Sequence, residues 1–411
     1  MPILGTIAAQ SGKVPDSPTI TSVTAGDGSV SVEFTPSSYI GKGTITYVAT
    51  SSPGGLTSSA GASSPLTVSG LTNGTAYTFT VVGTASNGVA STASSPSSPV
   101  TPIVPLVPRA LFAGGWNGSA LVNTIDYINF STVGNATSFG SLSSPAVSTV
   151  GVGSSTRGVF AVGSITNTGN NYTNTLDYFT IATTGNATDF GDLTLGRGGG
   201  AGMASSTRGI FSAGSSGNGG ATMSQVMDYI TIATIGNATN FGNMTISGGA
   251  SGVAGLSSPT RGVEASGSIN GGGAYSNFID YVTIATTGDA TNFGTLSLTR
   301  SSSGGGSSST RGIFAAGIEP NGTRLATSDY ITIATTGNGT TFGNLTRVVF
   351  STAGTSNSTL AMFAGGQGNG GDLYNVIDTF TIASTGNATD FGDLTVARTA
   401  FSACSNSHGG L

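Results

Sequence analysis

Charged residues are scarce in this chain. Asp, Glu, Lys and Arg together make up 7% of its 411 residues, against about 25% in an average protein. The formal net charge is −5, and the only lysines are Lys13 and Lys42. A nucleic-acid-binding protein needs clustered Lys and Arg to neutralise phosphates. We therefore expect no nucleic-acid partner.

Cysteine and histidine are almost absent. Cys404 is the only cysteine, so an internal disulfide is excluded. His408 is the only histidine. No Cys/His cluster with zinc-ligand spacing can therefore exist, and a Ser-His-Asp triad would have to use His408. We expect no catalytic residue, no metal ligand and no cofactor. Glycoside hydrolysis by carboxylates alone stays open, because Glu264, Glu319 and Asp372 are available.

The chain also lacks long apolar runs. No stretch reaches the ~18 apolar residues of a membrane-spanning helix. The first residues, MPILGTIAAQSGKV, lack the basic and apolar segments of a secretory signal. We expect a soluble protein without membrane insertion. Apolar residues still make up 37% of the chain, with 19 Phe and 11 Tyr, which is enough for a hydrophobic core.

One stretch of sequence, in contrast, is abundant. The segment TIATTGNATDFGDLT, Thr180–Thr194, occurs in six similar copies. Its phenylalanine recurs about every 50 residues, at Phe139, Phe190, Phe241, Phe293, Phe342 and Phe391. A period of about 50 residues is typical of repeat architectures.

Each repeat predicts four strands. A Gly/Ser/Ala-rich strand, such as GGGAGMASS (198–206), precedes a TRG turn and a second strand, such as RGIFSAG (208–214). After a variable loop, MDYITIAT (227–234) and ATNFGNMT (238–245) are predicted to form a hairpin about a Gly-Asn turn. The Phe and the Leu or Met of each copy are predicted to fill the interface with a neighbouring unit. Four strands per unit, repeated around a ring, make a β-propeller.

Residues 109–411 resemble the kelch β-propellers. The matching features are the small-residue inner strand and the Gly-Gly that ends the second strand, as in Gly114-Gly115 and Gly365-Gly366. Phe stands where the family has Trp, and the middle units keep one Gly of the doublet. The repeats begin with a second strand, RALFAGG, and end with a segment like an inner strand, 396–410. The resemblance therefore implies six blades, the first completed by the C-terminal strand.

Residues 16–102 resemble a fibronectin type III domain, an all-β sandwich. Alternating segments such as SVSVEF and TITYVATS predict about seven short strands. Leu71 and Tyr77 match the family's Leu and corner Tyr, while Phe34 takes the place of its core Trp. Residues 1–15 are predicted to be an N-terminal tail or anchor, and the Pro-rich segment 103–108 a stiff linker.

Two charged patterns recur in the repeats. An aspartate occurs once in each unit, at Asp126, Asp177, Asp228, Asp280, Asp329 and Asp378. Repetition in every unit favours a structural role, with the carboxylate accepting backbone N–H groups, over a cation-binding ring. The arginines of the TRG turns are predicted to cap the face opposite these aspartates. A second set, Arg197, Arg300, Arg347 and Arg398, follows the outer strand and is the better partner for them. Structural ion pairs and ligand contacts both remain open for this second set.

The six variable loops lie on the same predicted face as these aspartates, at 116–124, 164–175, 215–226, 268–278, 318–327 and 367–376. They carry Trp116, Tyr172, Tyr275 and Tyr374 among many Asn and Ser residues. This composition suits sugar binding as well as ordinary loop packing, and loops on a rigid scaffold often carry binding sites. Together with Arg197, Arg300 and Arg347, these aromatic residues are the candidate ligand-binding residues.

The combination of modules resembles structural proteins of tailed bacteriophages. It implies a non-enzymatic virion protein, a tail fibre or decoration protein assembled in the host cytoplasm and present in several copies or as a homo-oligomer. The N-terminal part would anchor on other virion proteins, and the loop face would contact a host-surface glycan. A bacterial surface or secreted glycan-binding adhesin is one alternative, and a ligand-free capsid or tail cement protein is another.

Overall fold

The computed structural model describes residues 14–38, 43–166, 171–217 and 222–411. Within these ranges all regular structure is β, except two single-turn 3-10 helices, Asn270–Gly272 and Asn369–Gly371. No helix there has the length and apolar character needed to cross a bilayer. The chain divides into two compact units between Leu106 and Val107, a point inside the predicted linker. The predicted tail 1–15 lies outside the described residues apart from Val14 and Pro15.

The first unit contains two antiparallel sheets. Its described strands are β1 (Thr19–Gly26), β2 (Ser29–Thr35), β3 (Ile45–Ser52), β4 (Leu66–Ser69) and β5 (Thr78–Ala85). One sheet has the order β1-β2-β4, and the other pairs β3 with β5. Alternate residues of β2, β4 and β5 are buried and pack into one core with Tyr47. The structure describes five strands in this unit, whereas the sequence predicted about seven.

A segment with a period of three takes the place of a further strand beside β5. The N–H groups of Ser91, Ser94 and Ser97 donate to carbonyls of β5 at 2.8–2.9 Å. The hydroxyls of the same serines accept N–H groups from β5 at 3.0 Å. Burial also repeats every third residue, as in polyproline II, which has three residues per turn. Period-two alternation cannot find such a segment.

In the part of the chain that is described, the second unit contains six antiparallel sheets of four or five strands and one small sheet of three short strands. The innermost strands of the six larger sheets are β9 (Val150–Gly153), β14 (Ala201–Ala204), β21 (Ala254–Ser257), β25 (Gly304–Ser307), β29 (Ala353–Ser356) and β33 (Ser402–Ser405). The second strands are β6 (Arg109–Ala113), β10 (Arg157–Ala161), β15 (Arg208–Ser212), β22 (Arg261–Ile269), β26 (Arg311–Ala315) and β30 (Leu360–Ala364).

The third strands are β7 (Thr124–Asn129), β11 (Thr175–Thr180), β18 (Val226–Thr231), β23 (Ala274–Thr283), β27 (Leu325–Thr332) and β31 (Val376–Thr381). The outer strands are β8 (Thr137–Ser141), β12 (Thr188–Asp192), β19 (Thr239–Asn243), β24 (Thr291–Arg300), β28 (Thr340–Val349) and β32 (Thr389–Asp393). Short strands extend the loops of the third and fourth sheets: β13 (Arg197–Gly198), β16 (Ser215–Ser216), β17 (Thr222–Met223) and β20 (Ala250–Ser251). We number the sheets from the first, which holds β6, to the sixth, which holds β30.

The first sheet is completed by the last strand. β33 pairs with β6 in the register Ser402↔Ala113 to Ser405↔Ala110. The innermost strands are in contact in the order β9, β14, β21, β25, β29, β33 and again β9. The six sheets therefore follow one another in a cycle, and the segment 396–410 occupies the inner-strand position that the repeat alignment predicted for it.

Backbone hydrogen bonds run around the inner end of this cycle. One residue, two positions before each innermost strand, donates its N–H to the carbonyl of its counterpart in the neighbouring sheet at 2.6–3.2 Å. The pairs, donor first, are Ser148–Ala400, Ala400–Ser351, Ser351–Ser302, Ser302–Gly252, Gly252–Gly199 and Gly199–Ser148. All six residues have φ between 54° and 72°, a region that only glycine enters without strain. We call these six residues the axial ring.

The repeated stretch links the sheets at their perimeter. The turn of the outer hairpin lies at Thr180–Thr183, where the Thr183 N–H donates to the Thr180 carbonyl at 3.3 Å. The prediction of a hairpin turn at Gly-Asn was therefore wrong. Gly185 and Ala187 instead donate N–H groups at 2.8–2.9 Å to the outer strand of the preceding sheet, and the Asn186 side chain accepts one from it. The same pattern occurs between all neighbouring sheets, including Gly134 and Ala136 with the sixth sheet.

The glycine after the repeated phenylalanine permits this close approach. A Cβ on Gly191 would lie 2.6 Å from the Gly236 carbonyl, closer than real contacts allow. The Phe itself packs between sheets, as Phe139 of the first sheet does against Phe179 of the second at a centroid distance of 5.3 Å. Leu142 belongs to the same cluster. The hydrophobic core of the second unit thus lies between neighbouring sheets, where the sequence predicted that the Phe and Leu would pack.

Replacing Ala400 by glycine tests the strain in the axial ring. We expect Ala400→Gly to raise the free energy of unfolding by about 0.5–1 kcal/mol, because relief of ~1–2 kcal/mol of left-handed strain exceeds the entropic cost of a glycine. Ala403→Gly, in the regular strand β33, is the matched control and should destabilise. Urea unfolding of both variants measures the difference. A destabilised Ala400→Gly would show that the ring is unstrained.

Candidate binding site at the loop end of the sheets

The recurrent aspartates hold neighbouring sheets together. Each is fully buried in its third strand. Each accepts, at 2.7–3.2 Å, the N–H of the Ser or Thr that ends the repeated stretch of the preceding sheet. The pairs are Asp177–Ser143, Asp228–Thr194, Asp280–Thr245, Asp329–Ser297, Asp378–Thr346 and Asp126–Thr395. We call each such contact between neighbouring sheets a seam.

The second set of arginines lies in these seams. Four ion pairs join them to aspartates in the described residues: Arg197–Asp228 at 2.8 Å, Arg300–Asp329 at 3.3 Å, Arg347–Asp378 at 2.9 Å and Arg398–Asp126 at 3.1 Å. The arginine side chains are at most 11% exposed. Burial lowers the pKa of the Arg197 guanidinium, and the charge of Asp228 opposes this shift. Three candidate ligand contacts, Arg197, Arg300 and Arg347, are thus occupied inside the protein.

The arginines of the TRG turns make a second kind of contact between sheets. Arg208 stacks 4.4 Å from the ring centroid of Tyr229 in its own sheet and donates to the Ile284 and Ala285 carbonyls of the next sheet. Equivalent stacking occurs at Arg109, Arg157, Arg261 and Arg311. The sixth sheet has Leu360 of β30 and Thr379 of β31 at these positions. Leu360 packs instead against the cluster that contains Phe130 of the first sheet.

The aromatic candidates of the loops do not converge. Trp116 forms β-bridges with Leu121 and Thr399, and Tyr275 is paired with Ser268 in the fourth sheet. Tyr374 lies 5.4 Å from the Arg347 guanidinium. Only Tyr172, among these four, lines a cavity shared with other sheets. Parts of two loops, 167–170 and 218–221, lie outside the described residues.

That cavity has a volume of about 260 Å³ and lies at the start of the innermost strands, the end at which the loops emerge. The axial ring lines it, together with Tyr172, Thr149, Thr352 and Phe401. Its lining holds no Asp, Glu, Lys, Arg or His among the described residues. The cavity offers hydroxyls, backbone and one phenol, so it can solvate a neutral polar molecule but cannot neutralise an ion.

The two sides of the cavity differ. Glycines predominate near Tyr172, where Gly198–Gly200 and Gly252 present backbone only. The fifth and sixth sheets carry the hydroxyls of Ser302 and Ser351, and Ser148 adds one hydroxyl in the sheet of Tyr172. All three serines are partly exposed. Deeper hydroxyls are occupied, since Thr149 donates to the Ala113 carbonyl at 3.0 Å and Thr352 to that of Ala364 at 2.8 Å. A ligand would therefore meet a flat side and a hydrogen-bonding side.

Sequence reasoning missed the serines of the axial ring. They lie in Gly/Ser/Ala-rich segments where no motif distinguishes them from their neighbours. A usable signal existed in the alignment of the repeats, where the position two residues before each inner strand reads Ser, Gly, Gly, Ser, Ser and Ala. Only the φ values show that this position faces the axis under strain.

The opposite end of the axis is narrower and is covered by residues that follow β33. The space there is about 50 Å³, and His408 lines it. The His408 Nε2 lies 2.8 Å from the Gly153 carbonyl, and Nδ1 accepts the Gly410 N–H at 3.1 Å. This pair of contacts requires a neutral imidazole with its proton on Nε2. Burial lowers the pKa of His408.

Removing one partner of a buried ion pair distinguishes a structural arginine from a ligand contact. We expect Arg300→Met to destabilise the protein by about 3–5 kcal/mol, because Asp329 would be left as an uncompensated buried charge. The double variant Arg300→Met/Asp329→Asn should recover much of this loss. Denaturant unfolding of the single and double variants measures both effects. Unchanged stability of Arg300→Met would contradict the structural role.

The single histidine allows a direct pH test. Because the folded state keeps His408 neutral, the unfolded chain binds a proton first as the pH falls below about 6.5. The free energy of unfolding should therefore decrease as the pH falls through that value, and His408→Gln should reduce this dependence. One histidine gives one NMR imidazole titration, which should have its midpoint below 6.5. A midpoint at or above 6.5 would rule out the buried neutral form.

Comparison with models of protein families and with curated proteins finds no match to this chain.

Proposed function

We propose that residues 109–411 form a six-bladed kelch-like β-propeller and that residues 16–102 form a fibronectin type III-like sandwich. The cyclic order of the six sheets and the axial ring support the propeller. In the first unit, the Tyr77 hydroxyl accepts the Thr72 N–H at 3.1 Å, as in a tyrosine corner. Phe34, at the position of the family's Trp, is buried and lies 4.9 Å from the Tyr47 ring.

We further propose that the protein is a non-enzymatic display protein of a tailed-bacteriophage virion whose loop end binds a neutral glycan of the host surface. The observation that carries the binding part is the uncharged cavity at the loop end. A sugar with a carboxylate would enter it without a counter-charge and lose its hydration. A neutral sugar can place its hydroxyls against Ser302 and Ser351 and a flat face on the side of Tyr172.

The size of the cavity limits how much of a glycan can enter. Pockets for drug-sized ligands measure about 300–1,000 Å³, and this one measures about 260 Å³. We therefore propose that one terminal sugar residue enters while the rest of the glycan extends among the loops. Anchoring by residues 1–15 to other virion proteins rests on the sequence alone, as does assembly in several copies.

Binding of the full-length protein to an array of neutral and acidic glycans tests the proposal. Neutral glycans should bind, and titration calorimetry should give one site per chain. We expect Tyr172→Ala to lower the affinity at least 10-fold, because the aromatic wall of the cavity is lost. Tyr275→Ala, the same change on a loop tyrosine outside the cavity, is the control.

Three results would contradict the proposal in different ways. Equal loss of affinity in Tyr275→Ala would move the site from the cavity to the loops. Binding of acidic glycans alone would exclude a neutral ligand. If no glycan binds and electron microscopy of the native particle places the loop end against other subunits, the protein is a cement protein. Its absence from particles, with glycan binding retained, would favour the adhesin.

A further inference from the structure

One seam departs from the pattern of the others. It is the seam between the third and fourth sheets. There, two acids of the fourth sheet are adjacent, because Glu264 of β22 pairs directly with Asp280 of β23. Both side chains are buried, with exposed fractions of 1% and 0%. Two carboxyl groups therefore share an interior position that holds one carboxyl group in every other seam.

The departure involves two residues on facing sheets. The second strands of the other five sheets have a phenylalanine at the position of Glu264, namely Phe112, Phe160, Phe211, Phe314 and Phe363. Ser212 of the third sheet occupies a position that is alanine elsewhere, namely Ala113, Ala161, Ala265, Ala315 and Ala364. The Ser212 hydroxyl faces the Glu264 carboxyl group. A polar pair thus replaces an apolar pair at one seam.

These side chains leave four buried oxygen atoms without a hydrogen-bond partner: Oε1 and Oε2 of Glu264, Oδ1 of Asp280 and Oγ of Ser212. The other Asp280 oxygen accepts the N–H and the hydroxyl of Thr245 at 2.9 and 2.6 Å. Buried polar atoms are rarely left unsatisfied in native proteins, and a cluster of them indicates a bound ion or water. Ser212 is 1% exposed, and its hydroxyl is directed at the Glu264 carboxyl group.

The other seams show which charge belongs here. In four of them a guanidinium neutralises the same aspartate position. Ala250, which precedes β21 by the same interval as Arg197 precedes β14, replaces the arginine in the seam of Asp280. Asp177 also lacks an ion pair in the described structure, but its neighbour across the strands is Phe160. A second acid without a cation thus distinguishes the seam of Asp280.

We infer that Glu264, Asp280 and Ser212 bind a hard divalent cation of the calcium class in the seam between the third and fourth sheets. All available donors are oxygens, which hard cations prefer, and two carboxylates match a divalent charge. Calcium accepts irregular arrangements of oxygen ligands, whereas magnesium demands a regular octahedron and retains waters. No group of three or more His, Cys, Asp or Glu that could hold a metal occurs in the described ranges, so the third protein ligand would be the Ser212 hydroxyl.

The alternative occupant of the site is a proton. Without a cation, burial raises the pKa of Glu264 to about 8, and the charge of Asp280 contributes to this rise. A proton held by the two acids would then take the place of the cation.

Metal content and thermal stability of the full-length protein test the inference. Protein purified in calcium and dialysed at pH 8 should retain one calcium per chain by elemental mass spectrometry. At about 100-fold saturation, calcium should raise the Tm by about 5–10 °C relative to a chelator. Glu264→Gln should lose this shift. Asp177→Asn, the same kind of change in the seam without a second acid, should keep it.

A second variant covers the case in which Glu264→Gln fails to fold. Ser212→Ala/Glu264→Phe restores the apolar pair of the other seams, so it should fold and show no calcium-dependent Tm. The inference is overturned if the unmodified protein retains no calcium at pH 8 and melts at the same temperature in calcium and in chelator. The two acids would then share a proton. Glycan binding plays no part in this outcome, so the two proposals fail separately.

Discussion

The rest of the second unit depends on one buried contact, the aspartate carboxylate that accepts an N–H from the preceding sheet. A four-stranded sheet of this size cannot bury enough surface alone and must pack against a neighbour on each side. The packed Phe and Leu side chains bury apolar surface between neighbouring sheets. Apolar packing alone does not fix the position of one sheet relative to the next. The aspartate carboxylate fixes this position, because it accepts a hydrogen bond from the N–H of one particular Ser or Thr. The Gly-Asn-Ala segments then link each sheet to its neighbour at the outer strand, and the axial ring links it next to the innermost strand.

This arrangement explains how the chain folds with so few charges. The contacts between sheets use mainly backbone groups, hydroxyls and amides, and four Arg–Asp ion pairs are buried in the seams. A buried ion pair is not itself strong evidence of stability, because desolvation offsets the attraction. Its effect here is specificity, since a sheet shifted by one position would leave both charges unpaired.

The sequence predicted the repeat, the four strands per unit and the pairing of 396–410 with Arg109–Ala113, because periodicity and alternation report strands directly. It could not predict which contact a motif makes. Gly-Asn is a common hairpin turn in isolation, yet here it pairs with the preceding sheet. The second of the two Gly-doublet positions is glycine in all six sheets, while Ala213, Ser266 and Ala316 adopt a positive φ of 61–66° at the first. The loop aromatics suggested a site by composition, but only Tyr172 reaches the axis.

Both proposed sites lie where the chain departs from its own repeat. Positions that are alike in all six sheets, such as the buried aspartate, make the contacts that pack one sheet against the next. The axial ring varies between serine, glycine and alanine although its backbone has a similar φ in every sheet, so packing between sheets does not dictate its side chains. Glu264 and Ser212 vary together on facing sheets, in an interior where a single polar residue would be costly. The positions that depart from the repeat in this unit are therefore found in the axial ring and in the seam of Asp280.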